Sequence, residues 1–186
     1  MKEILEKEDQ FAFITAYSIV ELEDTEIDNL LIRKAKDEKI RIIIIIDVKN
    51  KDKLPENLKE LEILDNFDVF YHPGTHAKFM LTSKNWMMST ANIDGNHGLR
   101  NSFEVGILGN NKDIFSKFKK FYIELLSECP NSKQNVSELS GNSYIYKGGE
   151  VSNEFKKFPC LQCSRRFKTQ SSLNQHINAK HEILAK

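Results

Sequence analysis

The sequence predicts an α/β fold, a sheet flanked by helices, with a small second unit appended at the C-terminus. Three observations carry that prediction. Strand-like and helix-like segments alternate from residue 11 to residue 71, the order that builds a sheet through crossover connections. The stretch 40–47 holds the apolar run 42–46 and ends in a charge, as suits a parallel strand covered on both faces. Residues 154–186 hold seven Lys or Arg against two acids, a balance of +5 that leaves the preceding residues at −5.

Each element has its own justification. Residues 1–10 read as a leading helix, and 11–18 as a strand because aromatic and β-branched side chains dominate it. Thr25 can cap the helix that follows, in which Ile27, Leu30, Leu31 and Ala35 fall at helical spacing. After the strand 40–47, Pro55 sits where a helix can start, and Leu58, Leu61 and Leu64 give that helix an apolar face. Residues 67–71 return to strand character, and the resulting order implies right-handed crossovers. Beyond the turn at Pro73-Gly74, two strand-like pieces, 76–82 and 86–90, are joined by Ser83-Lys84-Asn85. A loop with Gly95 and Gly98 leads to a strand at 103–108, then to a helix with Ile114, Phe118, Tyr122 and Leu125 on one face. This closes a first domain over 1–129. Residues 130–153, rich in Ser, Asn, Gly and Lys and without a sustained period, read as a flexible linker to a second domain over 154–186.

Composition narrows the function classes. A chain of 186 residues holds one domain with a real core and a small appendage. Hydrophobic content of 40% and charged content of 29% are ordinary for a soluble globular protein. The longest apolar run, 42–46, is far short of the ~20 residues that cross a bilayer, and no cleavable apolar segment opens the chain. Three cysteines do not make a disulfide framework. The expectation is a cytoplasmic or nuclear protein with no membrane partner. The basic tail beside an acidic body points to a polyanion contacted through the tail, the plain alternative being a solvated charged unit.

Within that tail, Cys160 and Cys163 are followed after twelve residues by His176 and after four more by His181. This is the ligand spacing of a structural zinc finger, and Phe158, Phe167 and Leu173 occupy the positions of its small core. A ββα unit holding Zn2+ is expected, with the cysteines at a hairpin and the histidines on a helix. Four protein ligands leave no position for a reacting water, so this zinc is structural. If the unit docks on DNA as such fingers do, Thr169, Ser172 and Gln175 face the bases. Arg165, Arg166 and Lys168, with Lys156 and Lys157, add phosphate contacts. A protein-binding or purely stabilising finger is the alternative.

A second group of residues suits phosphodiester chemistry. On an extended chain, residues two apart share a side, so His76 and Lys78 face one pocket while Ala77 and Phe79 face the core. A neutral imidazole is a competent nucleophile near pH 7, and an adjacent ammonium can neutralise a phosphate oxygen as charge builds. Asn92 can donate to the same phosphate, Thr90 offers a hydroxyl, and Glu104 can hold the far nitrogen of the histidine.

His76-Ala77-Lys78, then Ser89-Thr90-Ala91-Asn92, then Asn101-Ser102-Phe103-Glu104 resembles the active-site segment of the phospholipase D superfamily. The order of elements from 11 to about 126, roughly two thirds of the chain, follows that family's single unit. The resemblance implies a mixed sheet flanked by helices and a metal-independent phosphodiesterase working through a phosphohistidine. It further implies a second histidine to protonate the leaving oxygen. This chain has one motif copy, and single-copy members of the family pair as homodimers, several of them nucleases; DNA or RNA is the expected substrate. His72 and His97 read as surface or loop residues. Ser83 stands where members usually carry an aspartate that is not thought to touch substrate, and Ser89 and Thr90 replace a common glycine and serine. The alternative is a catalytically silent scaffold of the same fold that binds nucleic acid or acts as an adaptor. A lipid hydrolase ranks third, because such members carry two motif copies.

Overall fold

The computed structural model describes residues 1–20, 22, 26–94, 104–141 and 143–148, together with 158–159, 166–167, 174, 175 and 177. The chain divides into two units, Met1–Glu150 and Val151–Lys186.

The first unit begins with α1 (Lys2–Glu6), β1 (Phe11–Ala16), β2 (Ile19–Val20) and α2 (Ile27–Lys36). After β3 (Arg41–Asp47) come a 3-10 segment (Val48–Lys53), α3 (Glu56–Lys59) with a 3-10 extension (Glu60–Ile63), and β4 (Phe67–His72). Then follow β5 (Phe79–Thr82), β6 (Trp86–Ser89), β7 (Ile93–Asp94), β8 (Gly106–Gly109), α4 (Lys112–Ser127) and α5 (Lys133–Ser140). Six strands make one sheet in the order β4-β3-β1-β5-β6-β8. The pairs β1/β3 and β3/β4 are parallel, and β1/β5, β5/β6 and β6/β8 are antiparallel, so the sheet is mixed. β2 and β7 form a separate parallel pair.

Alternation along the strands feeds two cores. Ala12, Ile14, Ile42, Ile44 and Met80 point to the side covered by α1, α2 and α3, where they meet Leu5, Leu31 and Leu58. Phe11, Phe13, Ile43, Ile45 and Leu81 point to the side of α4 and α5, meeting Phe115, Tyr122 and Leu139. Each Leu, Ile, Phe or Met among these contributes about 1.5–3 kcal/mol by burial. With both faces apolar, pattern alone cannot set the register of β3. Its polar ends and one buried hydroxyl do so: Arg41 pairs with Asp68 and Glu138, and the Tyr122 hydroxyl donates to the Ile43 carbonyl at 2.7 Å. Gly109 fixes the β6/β8 edge, since a Cβ there would lie 2.1 Å from the Trp86 ring.

Several expectations need correction. The predicted strand from 76 begins only at Phe79; 75–78 belong to no strand, the Thr75 hydroxyl accepting the Ala77 N–H at 3.3 Å. The buried face of α4 is Phe115, Tyr122, Leu125 and Leu126, while Ile114 is exposed. The phase is set by Phe115 packing on Phe11 and Tyr146, at 6.3 and 4.8 Å between ring centroids. Residues 133–140, read as linker, form α5, whose Leu139 is fully buried. Tyr144 sits edge-on to Phe11 and Phe13, at 5.3 and 5.1 Å. Tertiary contact outweighs the polar composition of this stretch. Thr25, the expected cap of α2, lies outside the described residues.

In the second unit, β9 (Phe158–Pro159) and β10 (Arg166–Phe167) pair antiparallel, and Asn174, Gln175 and Ile177 are helical. Cys160, Cys163, His176, His181, Thr169, Ser172, Arg165 and Lys168 lie outside the described residues, as does the side chain of Arg166. Among the described residues no helix is long and apolar enough to cross a membrane.

Candidate active site

The sheet topology brings five strand ends to one place. β1 and β3 run parallel, with Ala16 at the end of β1 opposite Ile46, one residue before the end of β3, and Thr15 opposite Phe79 at the start of the antiparallel β5. β6 returns to finish at Ser89, opposite Gly106 at the start of β8. The residues just outside these ends are His76 and Lys78 before β5, Thr90 and Asn92 after β6, and Glu104 before β8. Ligand sites in α/β sheets commonly lie beyond the carboxyl ends of parallel strands.

His76 is exposed and Lys78 half-buried. The Lys78 Nζ lies 3.0 Å from His76 Nδ1, 3.4 Å from Nε2 and 3.1 Å from the His76 carbonyl oxygen, to which it donates. Burial pushes the Lys78 ammonium below its usual range, while the charge of Glu104 acts in the opposite direction. The Ser89 N–H donates to the Lys78 carbonyl at 2.9 Å, fastening this segment to β6 although it carries no full ladder.

Thr90 joins the segments on either side of β6 and β8. Its N–H donates to the Val105 carbonyl at 2.9 Å, its hydroxyl oxygen accepts the Val105 N–H at 3.0 Å, and the hydroxyl donates to the Glu104 carboxylate. Asn92 follows a turn in which Ser89 Oγ accepts the Ala91 N–H at 2.9 Å, and β7 pairs with β2 immediately beyond it. The Asn92 Oδ1 is buried and has no hydrogen-bond partner among the described residues.

The five candidate residues thus gather at one end of the sheet in two bonded pairs, His76 with Lys78 and Thr90 with Glu104, with Asn92 beside them. No hydrogen bond joins Glu104 to His76; the carboxylate expected to hold the imidazole is instead held by Thr90. Gln175 is exposed in the helical part of the second unit.

Ser83 stands at the other end of β5, roughly 16 Å from Lys78 at the usual strand rise. It is fully buried, its hydroxyl donating to Glu8 Oε1 at 2.7 Å and its carbonyl accepting the Lys147 N–H at 2.7 Å. Glu8, itself buried, also accepts the N–H groups of Gln10 and Phe11. A carboxylate is therefore present at this end of the sheet, supplied from the segment ahead of β1. Nothing in a run of charged residues singles Glu8 out.

His72 is buried in β4 rather than at the surface. Its Nδ1 accepts the Gly74 N–H at 3.0 Å, and its Nε2 lies 3.2 Å from Glu128, close enough for an ion pair but outside hydrogen-bond geometry. We read it as a tie between β4 and the end of α4. His97 lies outside the described residues. Among the described residues no three His, Cys, Asp or Glu side chains converge as metal ligands. One neighbour of His76 that no motif marks is Tyr17, whose ring centroid is 5.0 Å from the imidazole.

No family model and no curated protein matches the sequence. Solved structures do match. NucT from Helicobacter pylori superposes with a TM-score of 0.58 at 18% identity, over 67% of this chain and 84% of that one. Nuc from Salmonella typhimurium, a phospholipase D family member, gives 0.56 at 13% identity, over 68% and 84%. TrmBL2, an archaeal chromatin protein, gives 0.51 at 12% identity, over 69% of this chain and 47% of that one. The fold of the first unit is phospholipase D-like.

Proposed function

We propose that this chain is a phosphodiesterase of phospholipase D type, a nuclease that cleaves DNA or RNA through a phosphohistidine at His76. The observation that carries the reading is the placement of His76 and Lys78 in contact, with Thr90, Glu104 and Asn92, beyond the strand ends of a phospholipase D-like sheet.

In this mechanism an imidazole nitrogen of His76 attacks phosphorus, the P–N bond forms, and the P–O bond to the leaving alkoxide breaks. Lys78 and the Asn92 amide bind the non-bridging oxygens as negative charge builds. A second imidazole protonates the leaving oxygen, then takes a proton from the water that attacks phosphorus and releases His76. A second copy of the chain supplies that imidazole across a two-fold axis. Exposed Met88, Val105 and Ile107 beside the site support such pairing, as apolar surface that a second copy can cover. No metal takes part in these steps.

The second unit holds a structural zinc and directs the enzyme to its substrate. Two thiols and two imidazoles, from Cys160, Cys163, His176 and His181, suit Zn2+, and an antiparallel strand pair followed by helical residues suits a finger. Thr169, Ser172 and Gln175 are the base-facing positions in this reading, with Arg165, Arg166 and Lys168 on phosphates.

The test is cleavage of labelled single- and double-stranded DNA and RNA in excess EDTA, by wild type, His76→Ala and Cys160→Ser/Cys163→Ser. Cutting that survives chelation and is lost with His76 supports the histidine mechanism. Weaker binding by the cysteine variant with cutting retained assigns the zinc to targeting. A catalytically silent nucleic-acid-binding protein is the second reading, favoured by Glu104 engaging Thr90 rather than His76. It requires that wild type and His76→Ala bind alike and that neither forms product.

A further inference from the structure

Tyr17 follows the carboxyl end of β1, and its place is fixed on both sides. Its carbonyl accepts the Asn50 side-chain amide at 2.9 Å and the Asp47 N–H at 3.3 Å. Asn50 and Asp47 are themselves buried. Two residues on, Ile19 and Val20 are tied to Ile93 and Asp94. A backbone clamped at these points presents the ring to His76, with the centroids 5.0 Å apart and the planes inclined by 48°.

The Lys78 ammonium is 3.0 Å from Nδ1, and the Glu104 carboxylate, whose charge acts on Lys78, is bonded to Thr90. An imidazole that takes up a proton, or that forms a bond to phosphorus, becomes cationic. The electron-rich face of an aromatic ring within about 6 Å attracts such a cation.

We infer that Tyr17 is a positioning residue for His76: its ring holds the imidazole in place and stabilises it as it becomes cationic, against the repulsion of Lys78. The ring performs this and the phenol hydroxyl does not. Among the described residues, Lys78 meets His76 from its own segment and Tyr17 from the end of β1, while Glu104, from the segment before β8, acts by its charge on Lys78. The catalytic part of the inference rests on His76 being the nucleophile; the effect on its imidazole does not.

The experiment uses the full-length chain with Tyr17→Phe, Tyr17→Leu and Tyr17→Met, the last two replacing the ring with apolar side chains that tolerate the site differently. His76 imidazole protons are followed by NMR across a pH titration, assigned by their loss in His76→Gln. Tyr17→Phe is expected to titrate with wild type and keep the ring-current shift of the imidazole protons. In Tyr17→Leu and Tyr17→Met that shift disappears, and the His76 midpoint falls by about half a pH unit. On cleaved nucleic acid, kcat falls about tenfold for these two and is restored in Tyr17→Phe, with KM unchanged. An identical His76 midpoint in all four proteins overturns the inference. So does a rise in KM with the midpoint unmoved, which makes Tyr17 a substrate contact. If the midpoint moves as expected while wild type cleaves nothing, the ring's effect on His76 stands and the nuclease reading falls.

Discussion

Replacing Ser83 by aspartate introduces the residue usual in the phospholipase D superfamily, whose active-site segment this sequence resembles, and the structure predicts that it destabilises this protein. The Ser83 hydroxyl is 2.7 Å from Glu8 Oε1, and both side chains are buried. Ser83→Asp sets two carboxyl groups within about 4 Å. At an effective dielectric constant of about 20, two negative charges at that distance repel by about 4 kcal/mol. The escape is to keep one carboxyl protonated, and holding a group of ordinary pKa about 4 protonated at pH 7 costs about 3 units at 1.36 kcal/mol each, again about 4 kcal/mol. For a chain of this length that lowers Tm by about 8–16 °C. The raised carboxyl gives the penalty a definite pH dependence. Its effect is absent below the unfolded-state value near 4, and stability is lost as pH rises above it. Thermal melts of wild type, Ser83→Asp and Ser83→Asp/Glu8→Gln at pH 4 and pH 7 check this. The single variant is expected to match wild type at the lower pH only, and the double variant to recover most of the loss at pH 7. A Ser83→Asp melt within 2 °C of wild type at pH 7, an allowance set by the ~2–4 °C that 1 kcal/mol moves Tm, would refute the claim that Glu8 already occupies the carboxylate's place.

Arg41→Met removes the cation that Asp68 and Glu138 share at the start of β3 and is expected to cost about 1–3 kcal/mol in denaturant melts, less than for a fully buried pair because both carboxylates keep part of their hydration. Burial works against the Glu138 carboxylate, but its bonds to Tyr144 and Arg41 prevail and hold it below the usual range. Its contribution is therefore present at neutral pH and lost as pH falls below about 4, and acid titration of wild type against Glu138→Gln reads it directly. A chain ending at Glu128 loses Leu139 and Tyr144 from the core and is expected not to fold, whereas one ending at Glu150 melts cooperatively; circular dichroism separates the two. Ile107→Lys, on an exposed apolar stretch beside the site, is expected to shift a dimer to monomer in sedimentation and to abolish cleavage while leaving Tm within about 2 °C.

The parts of the fold legible in the sequence were those whose signal is local. The run at 42–46 announced a doubly covered strand because both of its faces are apolar, and the alternation of elements around it gave the α/β class. α5 was hidden because its one fully buried side chain, Leu139, is set in a polar stretch that becomes helical by packing on α4. The same holds at the site. The closeness of His76 and Lys78 was legible because a two-residue spacing is a local fact. The bond from Thr90 to Glu104 depends on how β6 and β8 bring their ends together, and Tyr17 is a neighbour of His76, as Glu8 is of Ser83, only in space. Sequence spacing shows which groups can share a side, and only topology decides which carboxylate is left for the imidazole.

The five isoleucines of β3 also bear on how the chain is made. Five consecutive β-branched apolar residues form a segment that stacks readily with its own kind when exposed. β1 precedes it and is available as a partner as soon as it emerges, but the other edge stays open until β4, ending at His72, has been synthesised. Arg41 and Asp47 close the run at either end, and opposite charges so placed act as gatekeepers against intermolecular stacking. The arginine that sets register in the finished sheet thus also guards its most aggregation-prone strand before the sheet exists.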